Sequence, residues 1–292
     1  MAAETTRRGL LSAGAVQLRA AGVASPEYDA AELLSHVLGV TRGNLVLVDR
    51  ITDDQADAYL ALIGRRAARE PLQHLTGEAH FRHVTLAVGP GVFVPRPETE
   101  LLAGWAIQEA RRAEHENRTC RVVDLCTGSG AIAKAIKDEV PEADVYACEL
   151  SEDAYPWAVR NLTGTGVDLR QGDMAEAFED LVGTVDVVVC NPPYIPLEAW
   201  ESVALEARDH DPDLALYSGA DGLDAMRVLE QRAARLLRHA GVVGAEHADE
   251  QGPDGLGGGA PGVFAASGRW ADVRDHADLA GRPRFTTARL AR

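Results

Sequence analysis

The segment with the clearest chemical potential is Asn191, Pro192, Pro193 and Tyr194, which follows the apolar run Val185–Cys190. Two successive prolines keep the backbone extended and remove two N–H donors, so that the carbonyl groups face outward unpaired. The side-chain oxygen of Asn191 and the carbonyl oxygen of Pro192 can then accept both hydrogens of one NH2 group. Tyr194 supplies an aromatic face against which a planar amide or a base can stack. The segment therefore predicts a binding site for a planar amide or amine nitrogen.

The chemistry that suits such a site is transfer of a group to the bound nitrogen. An amide nitrogen is a poor nucleophile because its lone pair is delocalised into the carbonyl. Two acceptors on its hydrogens favour the charge that builds on the nitrogen, which stabilises the transition state. No strong base is needed, since the proton can leave after the new carbon–nitrogen bond has formed.

A glycine-containing turn in the segment Asp124–Ala131 predicts the second part of the site. Glycines between a strand and a helix let a ligand approach the backbone, and the helix N-terminus presents free N–H groups. The spacing is not G-x-G-x-x-G, because Ala133 stands at the position of the third glycine. Glu149, at the end of the next strand-like run, can grip a ribose diol. This pairing suits any cofactor that contains adenosine, NAD included.

The elements that must position these residues alternate along the second half of the chain. Repetition of strand, helix and strand predicts a parallel sheet covered by helices on both faces, which binds ligands beyond the carboxyl ends of its strands. A closing hairpin is predicted after it, and the glycine-rich residues Gln251–Gly262 predict a flexible loop. The predicted strands are Arg121–Leu125, Asp144–Cys148, Val167–Leu169, Val185–Cys190 and Gly241–Ala245, and those of the hairpin are Ala271–His276 and Arg284–Leu290.

Residues 1–75 have a helical period and little that is typical of strands. Ser25 can cap a helix that has Pro26 at its first position and ends at Gly39. Thr52 and Gln55 predict a capping box for the next helix. A small helical bundle without chemical clusters is therefore expected. The alternating apolar residues between Glu78 and Arg96 then predict a β-hairpin.

The composition narrows the class of protein. The chain has 292 residues and a formal net charge of -16, which disfavours contact with nucleic acid. Arg65, Arg66 and Arg69 form a local basic cluster, which we interpret as a solvated helix face. The four cysteines do not have the spacing of a metal site, and neither do His80, His83 and His247, which we expect to lie on the surface or in hairpins. Because the chain shows no signal sequence and no apolar run of membrane-spanning length, we expect a cytoplasmic protein without a membrane partner.

Several motifs together resemble the bacterial release factor glutamine N5-methyltransferases, the PrmC/HemK family. The resemblance covers nearly the whole chain, and the pair FVPRPETE and NPPY is far more specific than either motif alone. The motifs that carry it are PLQHLTG at 71–77, FVPRPETE at 93–100, DLCTGSGAIA at 124–133, QGDM at 171–174, NPPY at 191–194 and RPRFTTAR at 282–289.

The resemblance implies an α/β fold, a seven-stranded Rossmann-like methyltransferase sheet preceded by a small helical domain. It implies S-adenosylmethionine as the cofactor, the glutamine of the GGQ loop in class-1 peptide chain release factors as the substrate, and no metal. Residues 1–75 would dock the release factor, 76–97 would form a hairpin linker and 98–292 the catalytic domain. Asn191 would touch both cofactor and substrate, and Pro192, Pro193 and Tyr194 the substrate. The other cofactor contacts would be Cys126, Thr127, Gly128, Ser129, Gly130, Glu149, Asp173 and Met174.

Two positions depart from the pattern of many methyltransferases. Cys126 stands where many have glycine, which limits how tightly the turn can wind, and Glu149 is one methylene longer than the usual aspartate.

Three other functions compete with this interpretation. An N6-adenine or N4-cytosine DNA methyltransferase could use the same NPPY segment, but it must also flip a base and hold a phosphate backbone. The charge of -16 and the lack of an inserted target-reading domain weigh against it. A non-catalytic cofactor-binding module would have no need of Asn191 and Tyr194. An NAD dehydrogenase would need a proton donor beside the glycine turn, where the sequence offers none.

Overall fold

The computed structural model describes residues 6–48, 50–115 and 119–291. Its backbone contacts divide the chain into two units, Met1–Glu78 with Ala204–His210, and Ala79–Val203 with Asp211–Arg292. The helices of the described residues are α1 Arg7–Ala20, α2 Pro26–Leu38, α3 Asp53–Ala67, α4 Leu72–Thr76, α5 Thr99–His115, α6 Ala131–Glu139, α7 Tyr155–Leu162, α8 Leu205–His210, α9 Asp213–Leu216, α10 Asp224–Leu236 and α11 Gly259–Ala266. The strands are β1 Glu78–Phe81, β2 Val84–Ala87, β3 Arg121–Leu125, β4 Asp144–Glu149, β5 Asp168–Gln171, β6 Val185–Cys190, β7 Leu237–Glu246, β8 Trp270–Ala277 and β9 Pro283–Leu290.

The helical unit confirms most of the predicted helix boundaries. Helix α2 begins with Pro26 and ends at Gly39, whose φ of 63° places it in the left-handed region that glycine favours. Thr52 and Gln55 form the predicted capping box at the start of α3. Ser25 occupies the N-cap position as predicted, but its side chain makes no capping hydrogen bond within the described residues. Proline at the first helical position lacks one of the four N–H groups that have no partner within a helix at its start.

The basic cluster of α3 is not simply a solvated face. Arg66 is only 5% exposed, and its Nε donates to Asp29 Oδ2 at 2.7 Å. Its Nη2 donates to Glu206 Oε1 at 2.9 Å, and Arg69 pairs with the same carboxylate. A buried guanidinium needs such partners because an isolated charge is costly to bury. The interpretation of a solvated face is therefore wrong for Arg66, and these pairs tie residues 204–210 to the helical unit.

The second unit contains the predicted sheet, with seven strands in the order β5-β4-β3-β6-β7-β9-β8 among the described residues. Strands β5, β4, β3, β6 and β7 are parallel, and β9 is antiparallel to both β7 and β8. One face packs against α5, α6 and α7, and the other against α10 and α11. Alternate residues of β3, such as Val122 and Val123, belong to these two cores. The structure thus confirms the doubly covered α/β sheet.

The glycine-rich segment is more ordered than predicted. It contains a short 3-10 turn at Leu256–Gly258, and helix α11 begins within it at Gly259. Phe264 of α11 is buried and stacks edge-on against Trp270 of β8, with the ring centroids 5.3 Å apart. Burial of this helix against the sheet overrides the low helix propensity of glycine. The prediction of a flexible loop over the whole segment is therefore wrong.

Within the described ranges, no helix combines the length and the apolar character needed to cross a membrane.

Candidate functional site

A cleft of about 330 Å³ lies at the carboxyl ends of β3, β4 and β6. Parallel strands bring their carboxyl ends to one edge of a sheet, so residues far apart in sequence meet there. Of the predicted site residues, the cleft is lined by Cys126, Thr127, Gly128, Ser129, Glu149, Asp173, Met174, Asn191, Pro193 and Tyr194. Gly130 and Pro192 lie next to these residues in the chain and are buried.

The turn after β3 takes a left-handed backbone at three positions. Gly128 and Gly130 have φ values of 58° and 86°, and Cys126 has a φ of 63° although it carries a side chain. A Cβ at Gly130 would lie 2.9 Å from the Leu162 side chain, whereas one at Gly128 would meet no heavy atom within 4 Å. Gly130 is therefore needed for close packing, and Gly128 leaves open space beside the cleft. The turn has the tight conformation that the cysteine was expected to hinder.

Asp124 stabilises this turn through two hydrogen bonds. Its Oδ2 accepts hydrogen bonds from the Thr127 hydroxyl at 2.6 Å and from the Ala133 backbone N–H at 3.2 Å. Burial raises the pKa of its carboxyl to about 7, and the two hydrogen bonds oppose that rise. Asp124 does not line the cleft. Its two hydrogen bonds stabilise the turn that does.

Glu149 joins the end of β4 to the same turn. Its Oε2 accepts from the Gly128 N–H at 2.7 Å, and its Oε1 accepts from the Ser151 N–H at 2.8 Å. Burial raises the pKa of this carboxyl, and the backbone hydrogen bonds oppose the rise. Each oxygen of an ionised carboxylate can accept more than one bond, so Glu149 can still receive a hydroxyl group of a ligand.

Asp173 and Met174 follow β5 on the other side of Glu149. Asp173 Oδ1 accepts from the Ala175 N–H at 2.8 Å, which fixes the turn. The Cys126 thiol lies 3.6 Å from the Met174 sulfur atom. The segments that follow β3 and β5 therefore meet at this wall of the cleft, although β4 lies between the two strands, and the wall combines a polar loop with polarisable sulfur atoms.

The NPPY segment leaves β6 and is held by three other segments. The Tyr194 and Ile195 N–H groups donate to the Leu216 carbonyl at 3.2 and 2.8 Å. Gln251 Nε2 donates to the Tyr194 carbonyl at 2.9 Å. Asn191 Nδ2 donates to Thr99 Oγ1 at 3.4 Å. Because the donor side of the Asn191 amide is turned toward Thr99, its oxygen atom remains as the acceptor.

The sequence analysis assigned no site role to several residues that the structure brings to the cleft. Phe93, Pro95 and Thr99 line it together with Pro212, Leu214, Ala215 and Leu216. Arg96 pairs with Asp211 at 2.5 Å, and its guanidinium lies 4.9 Å from the Phe93 ring centroid. The signal for Phe93–Thr99 was the FVPRPETE motif. No comparable signal marks Leu214, Ala215 and Leu216, which line the cleft from helix α9.

The expectation that the histidines are exposed or lie in hairpins is wrong for His247. It is buried after β7, with Nε2 2.9 Å from Asp275 Oδ1 and Nδ1 2.8 Å from the Ala248 carbonyl oxygen. In the described part of the chain, no cluster of three or more histidine, cysteine or acidic side chains could hold a metal ion.

Comparison with known proteins agrees with this fold and cleft. Residues 9–77 match the family model of the PrmC N-terminal domain, and residues 109–207 match that of the methyltransferase small domain. The protein is therefore a methyltransferase. The match to the methyltransferase small domain agrees with the mostly parallel sheet, which has helices on both faces and a cleft beyond its glycine turn.

The family follows from similarity over the full length. The chain is 58% identical over 276 residues to the release factor glutamine methyltransferase of Streptomyces coelicolor, covering 94% of this chain and 95% of that protein. It is 43% identical over 291 residues to the protein of that name from Mycolicibacterium smegmatis, covering 99% of each, and 40% identical over 288 residues to that from Deinococcus radiodurans, covering 97% and 98%. The chain belongs to the release factor glutamine methyltransferase family.

Proposed function

We propose that the protein transfers a methyl group from S-adenosylmethionine to the side-chain amide nitrogen of the glutamine in the GGQ loop of class-1 peptide chain release factors. The observation that carries the proposal is the orientation of Asn191 at the cleft. Its Nδ2 donates to Thr99 Oγ1, which leaves its oxygen as an acceptor next to the Pro192 carbonyl. Full-length similarity to release factor glutamine methyltransferases supports the choice of substrate.

The cleft fits the proposed cofactor. Cys126–Gly130 would contact its methionine part, Glu149 the ribose hydroxyls, and Asp173 with Met174 the adenine. The fit is supported by the open space beside Gly128, by the buried carboxylate of Glu149 and by the apolar lining from Ile132, Leu150 and Met174. When bound, S-adenosylmethionine supplies an electrophilic methyl group.

The residues of the NPPY segment would prepare the substrate amide. Asn191 Oδ1 and the Pro192 carbonyl would each accept one hydrogen of its NH2 group, and the Tyr194 ring would lie against the amide plane. Both acceptors favour positive charge on the nitrogen as the new bond forms. They are held in place before the reaction, because Leu216 and Gln251 fix the backbone on either side of Tyr194. The proton leaves afterwards, so no basic side chain is required.

We further propose that residues 1–75 dock the protein substrate, 76–97 link the two parts and 98–292 carry the reaction. Among the described residues, those that line the cleft all belong to the second unit. The helical unit presents exposed apolar side chains, Val46 and Leu47, on its 3-10 turn. Exposed apolar patches are typical of surfaces that bind other proteins.

Mass spectrometry of a purified class-1 release factor tests the function. After incubation with the enzyme and isotopically labelled S-adenosylmethionine, we expect one labelled methyl group on the glutamine of the GGQ loop. A release factor with alanine in place of that glutamine is the matched control and should remain unlabelled. Labelling of an adenine- or cytosine-containing DNA duplex, with none on the release factor, would contradict the proposal and favour a DNA methyltransferase.

A further inference from the structure

Tyr194 is held at three atoms, and the outermost contact involves a buried carboxyl group that the proposed mechanism does not yet use. Its backbone N–H donates to the Leu216 carbonyl at 3.2 Å, and its carbonyl accepts from Gln251 Nε2 at 2.9 Å. Its hydroxyl donates to Glu246 Oε1 at 3.3 Å. Because the hydroxyl is the side-chain atom farthest from the backbone, the three contacts together hold both ends of the residue.

Two of these partners come from the same part of the chain, the exit of β7. Glu246 is the last residue of β7, and Gln251 closes the 3-10 turn Asp249–Gln251 that follows. Gln251 is buried, and its Oε1 accepts from the Ala248 N–H at 3.1 Å. This bond turns the NH2 group of Gln251 toward the Tyr194 carbonyl. The exit of β7 therefore supplies the partners of both the carbonyl and the hydroxyl of Tyr194.

Glu246 has Tyr194 as its donor. The glutamate is 1% exposed, and its Oε2 has no hydrogen-bond partner among the described residues. A carboxylate only accepts hydrogen bonds, so the Tyr194 hydroxyl must point its hydrogen at Oε1. A charged group is costly to bury unless such partners reach it. The contact therefore orients the Tyr194 hydroxyl toward the interior, on the side of the ring away from its backbone.

This contact also affects the chemistry of the aromatic ring. The face of a tyrosine ring carries partial negative charge and attracts cations. A hydroxyl that donates to a carboxylate releases electron density into its ring, which strengthens that attraction. The substrate nitrogen would gain positive charge as the new carbon–nitrogen bond forms. The attraction to the ring would therefore be stronger in the transition state than in the bound substrate, which is the condition for faster turnover.

We propose that Glu246 is a positioning residue, whose carboxylate fixes and polarises the Tyr194 ring against which the substrate amide binds. The inference rests on the proposed function, because that function supplies the amide. Tyr194 lines the cleft, whereas Glu246 is not among the residues that line it. Glu246 therefore acts through Tyr194 and does not touch the substrate.

The surroundings of Glu246 place its ionisation near neutral pH. Burial raises the pKa of its carboxyl to about 7, and the charge of Glu98 adds to the rise, whereas the charge of Arg284 and the Tyr194 hydroxyl oppose it. The carboxylate is therefore lost as the pH falls through about 7. Burial raises the pKa of Tyr194 and lowers that of the neighbouring His247, so both of these groups are neutral where Glu246 titrates.

A double-mutant cycle tests the proposal by kinetics. Tyr194→Phe removes the hydroxyl and keeps the ring, and Glu246→Gln keeps the shape but removes the charge. We expect each substitution to lower kcat by roughly threefold to tenfold, about the contribution of one hydrogen bond. The KM of the release factor and the dissociation constant of S-adenosylmethionine should stay within about twofold. Because both substitutions remove the same interaction, the double variant should be no slower than the slower single variant.

A matched control is Glu230→Gln, because Glu230 is also buried but hydrogen-bonds to Arg269 and Trp270. It should change stability, measured as melting temperature, and leave kcat unaltered. A Glu246→Gln enzyme as fast as the parent would overturn the proposal. So would a double variant whose loss of kcat is the product of the two single losses. In either case the proposed function would stand.

A second measurement does not depend on methyl transfer. In protein labelled with ¹³C at tyrosine Cζ, the resonance of Tyr194 can be assigned by its loss in Tyr194→Phe. From about pH 5.5 to about pH 8.5, we expect it to follow a titration near the pKa of Glu246, and to stay constant in Glu246→Gln. If it does not move in the parent protein, the positioning role is wrong whatever the substrate. A parent protein that shows this titration but methylates no release factor would contradict the proposed function alone.

Discussion

The Glu149 carboxylate accepts a hydrogen bond from the backbone N–H of Gly128 at 2.7 Å, although 21 residues separate them in the chain. The contact links the ends of β4 and β3 at the point where both strands reach the cleft. Glu149, which is predicted to hold the ribose of the cofactor, therefore also fixes the Cys126–Gly130 turn, which is predicted to contact the methionine part of the cofactor. The extra methylene of glutamate, compared with aspartate, provides reach for this contact.

The first prediction concerns Glu149→Gln. Glutamine retains one acceptor but points an NH2 group at one of the two N–H donors, Gly128 or Ser151. The substitution also removes the charge of the acceptor, and a hydrogen bond from a ligand hydroxyl to a charged group contributes about 1.5–3 kcal/mol, so we expect the dissociation constant of S-adenosylmethionine to rise about tenfold or more. Isothermal titration calorimetry measures it. Glu142→Gln, an exposed position in the loop before β4, is the control, and equal affinities for the two variants would exclude this role of Glu149.

The second prediction concerns Asn191, which would hold one hydrogen of the substrate amide. Asn191→Ala should lower the rate of methyl transfer by roughly a hundredfold to a thousandfold, the usual effect of losing one preorganised polar partner. Asn191→Asp keeps an acceptor but loses the donor that faces Thr99, and it adds a charge beside a cationic cofactor. We expect it to bind cofactor and to lose much of the rate. Single-turnover methyl transfer is the measurement, and a parental rate in Asn191→Ala would refute the two-acceptor mechanism.

The third prediction concerns Gly222, which lies behind the NPPY segment. Its φ is 75°, and an added Cβ would collide with the Tyr194 carbonyl oxygen and with Gln251 Nε2, the two atoms of one hydrogen bond. Gly222→Ala should therefore displace Tyr194 and slow turnover, in addition to the backbone strain of about 1–2 kcal/mol.

Gly183→Ala separates the two effects. Gly183 has a φ of 71° and no heavy atom within 4 Å of an added Cβ, so it should lose stability from strain alone and keep its activity. Comparison of melting temperature with kcat for both variants makes the distinction. If both variants turned over at the same rate, contact with Tyr194 would not be the reason for glycine at 222.

The fourth prediction tests the docking role of the helical unit. Leu47 is 73% exposed, and burial of a leucine side chain against a partner contributes about 1.5–3 kcal/mol. If this surface binds the release factor, Leu47→Ser should raise its KM about tenfold and leave cofactor affinity unchanged. Leu279→Ser, at a site 96% exposed between β8 and β9, is the control. A KM that responds equally to both substitutions, or to neither, would place the docking surface elsewhere.

The sequence predicted most of the fold because its signals are local. The apolar run Val185–Cys190 coincides with β6, and the reciprocal bonds of Thr52 and Gln55 involve residues three positions apart. The strand and the capping box each depend on a few residues that are close together in the chain, so their spacing in the sequence is enough to predict them. The glycines of the turn after β3 are a local signal of the same kind, whereas nothing in the sequence indicates the left-handed backbone of Cys126.

The contacts behind the site could not be predicted in the same way. Thr99 begins α5 and Asn191 follows β6, so that 92 residues separate them in the chain, and only the tertiary structure brings them together. Arg66 was misinterpreted for a similar reason, since its partners Asp29 and Glu206 lie 37 and 140 residues away.

The fifth prediction concerns the stability of the helical unit. Arg66→Met fills a similar volume but leaves Asp29 as an uncompensated buried carboxylate. Breaking a buried pair in this way typically costs about 3–5 kcal/mol, and we expect a loss of this size in the free energy of unfolding, measured by urea denaturation. Arg65→Met is the matched control, because its pair with Glu70 is exposed and such pairs contribute about 0–1 kcal/mol.

A double variant separates the cost of the unpaired charge from the loss of arginine contacts. Replacing Asp29 by leucine together with Arg66→Met exchanges the buried pair for apolar side chains, a change that is often neutral or stabilising. Glu206 keeps its pair with Arg69 in both variants. We therefore expect Asp29→Leu to recover most of the stability lost in Arg66→Met. If the double variant were as unstable as the single one, the contribution of Arg66 would come from its contacts with Glu206 and the Glu70 carbonyl and not from neutralising Asp29.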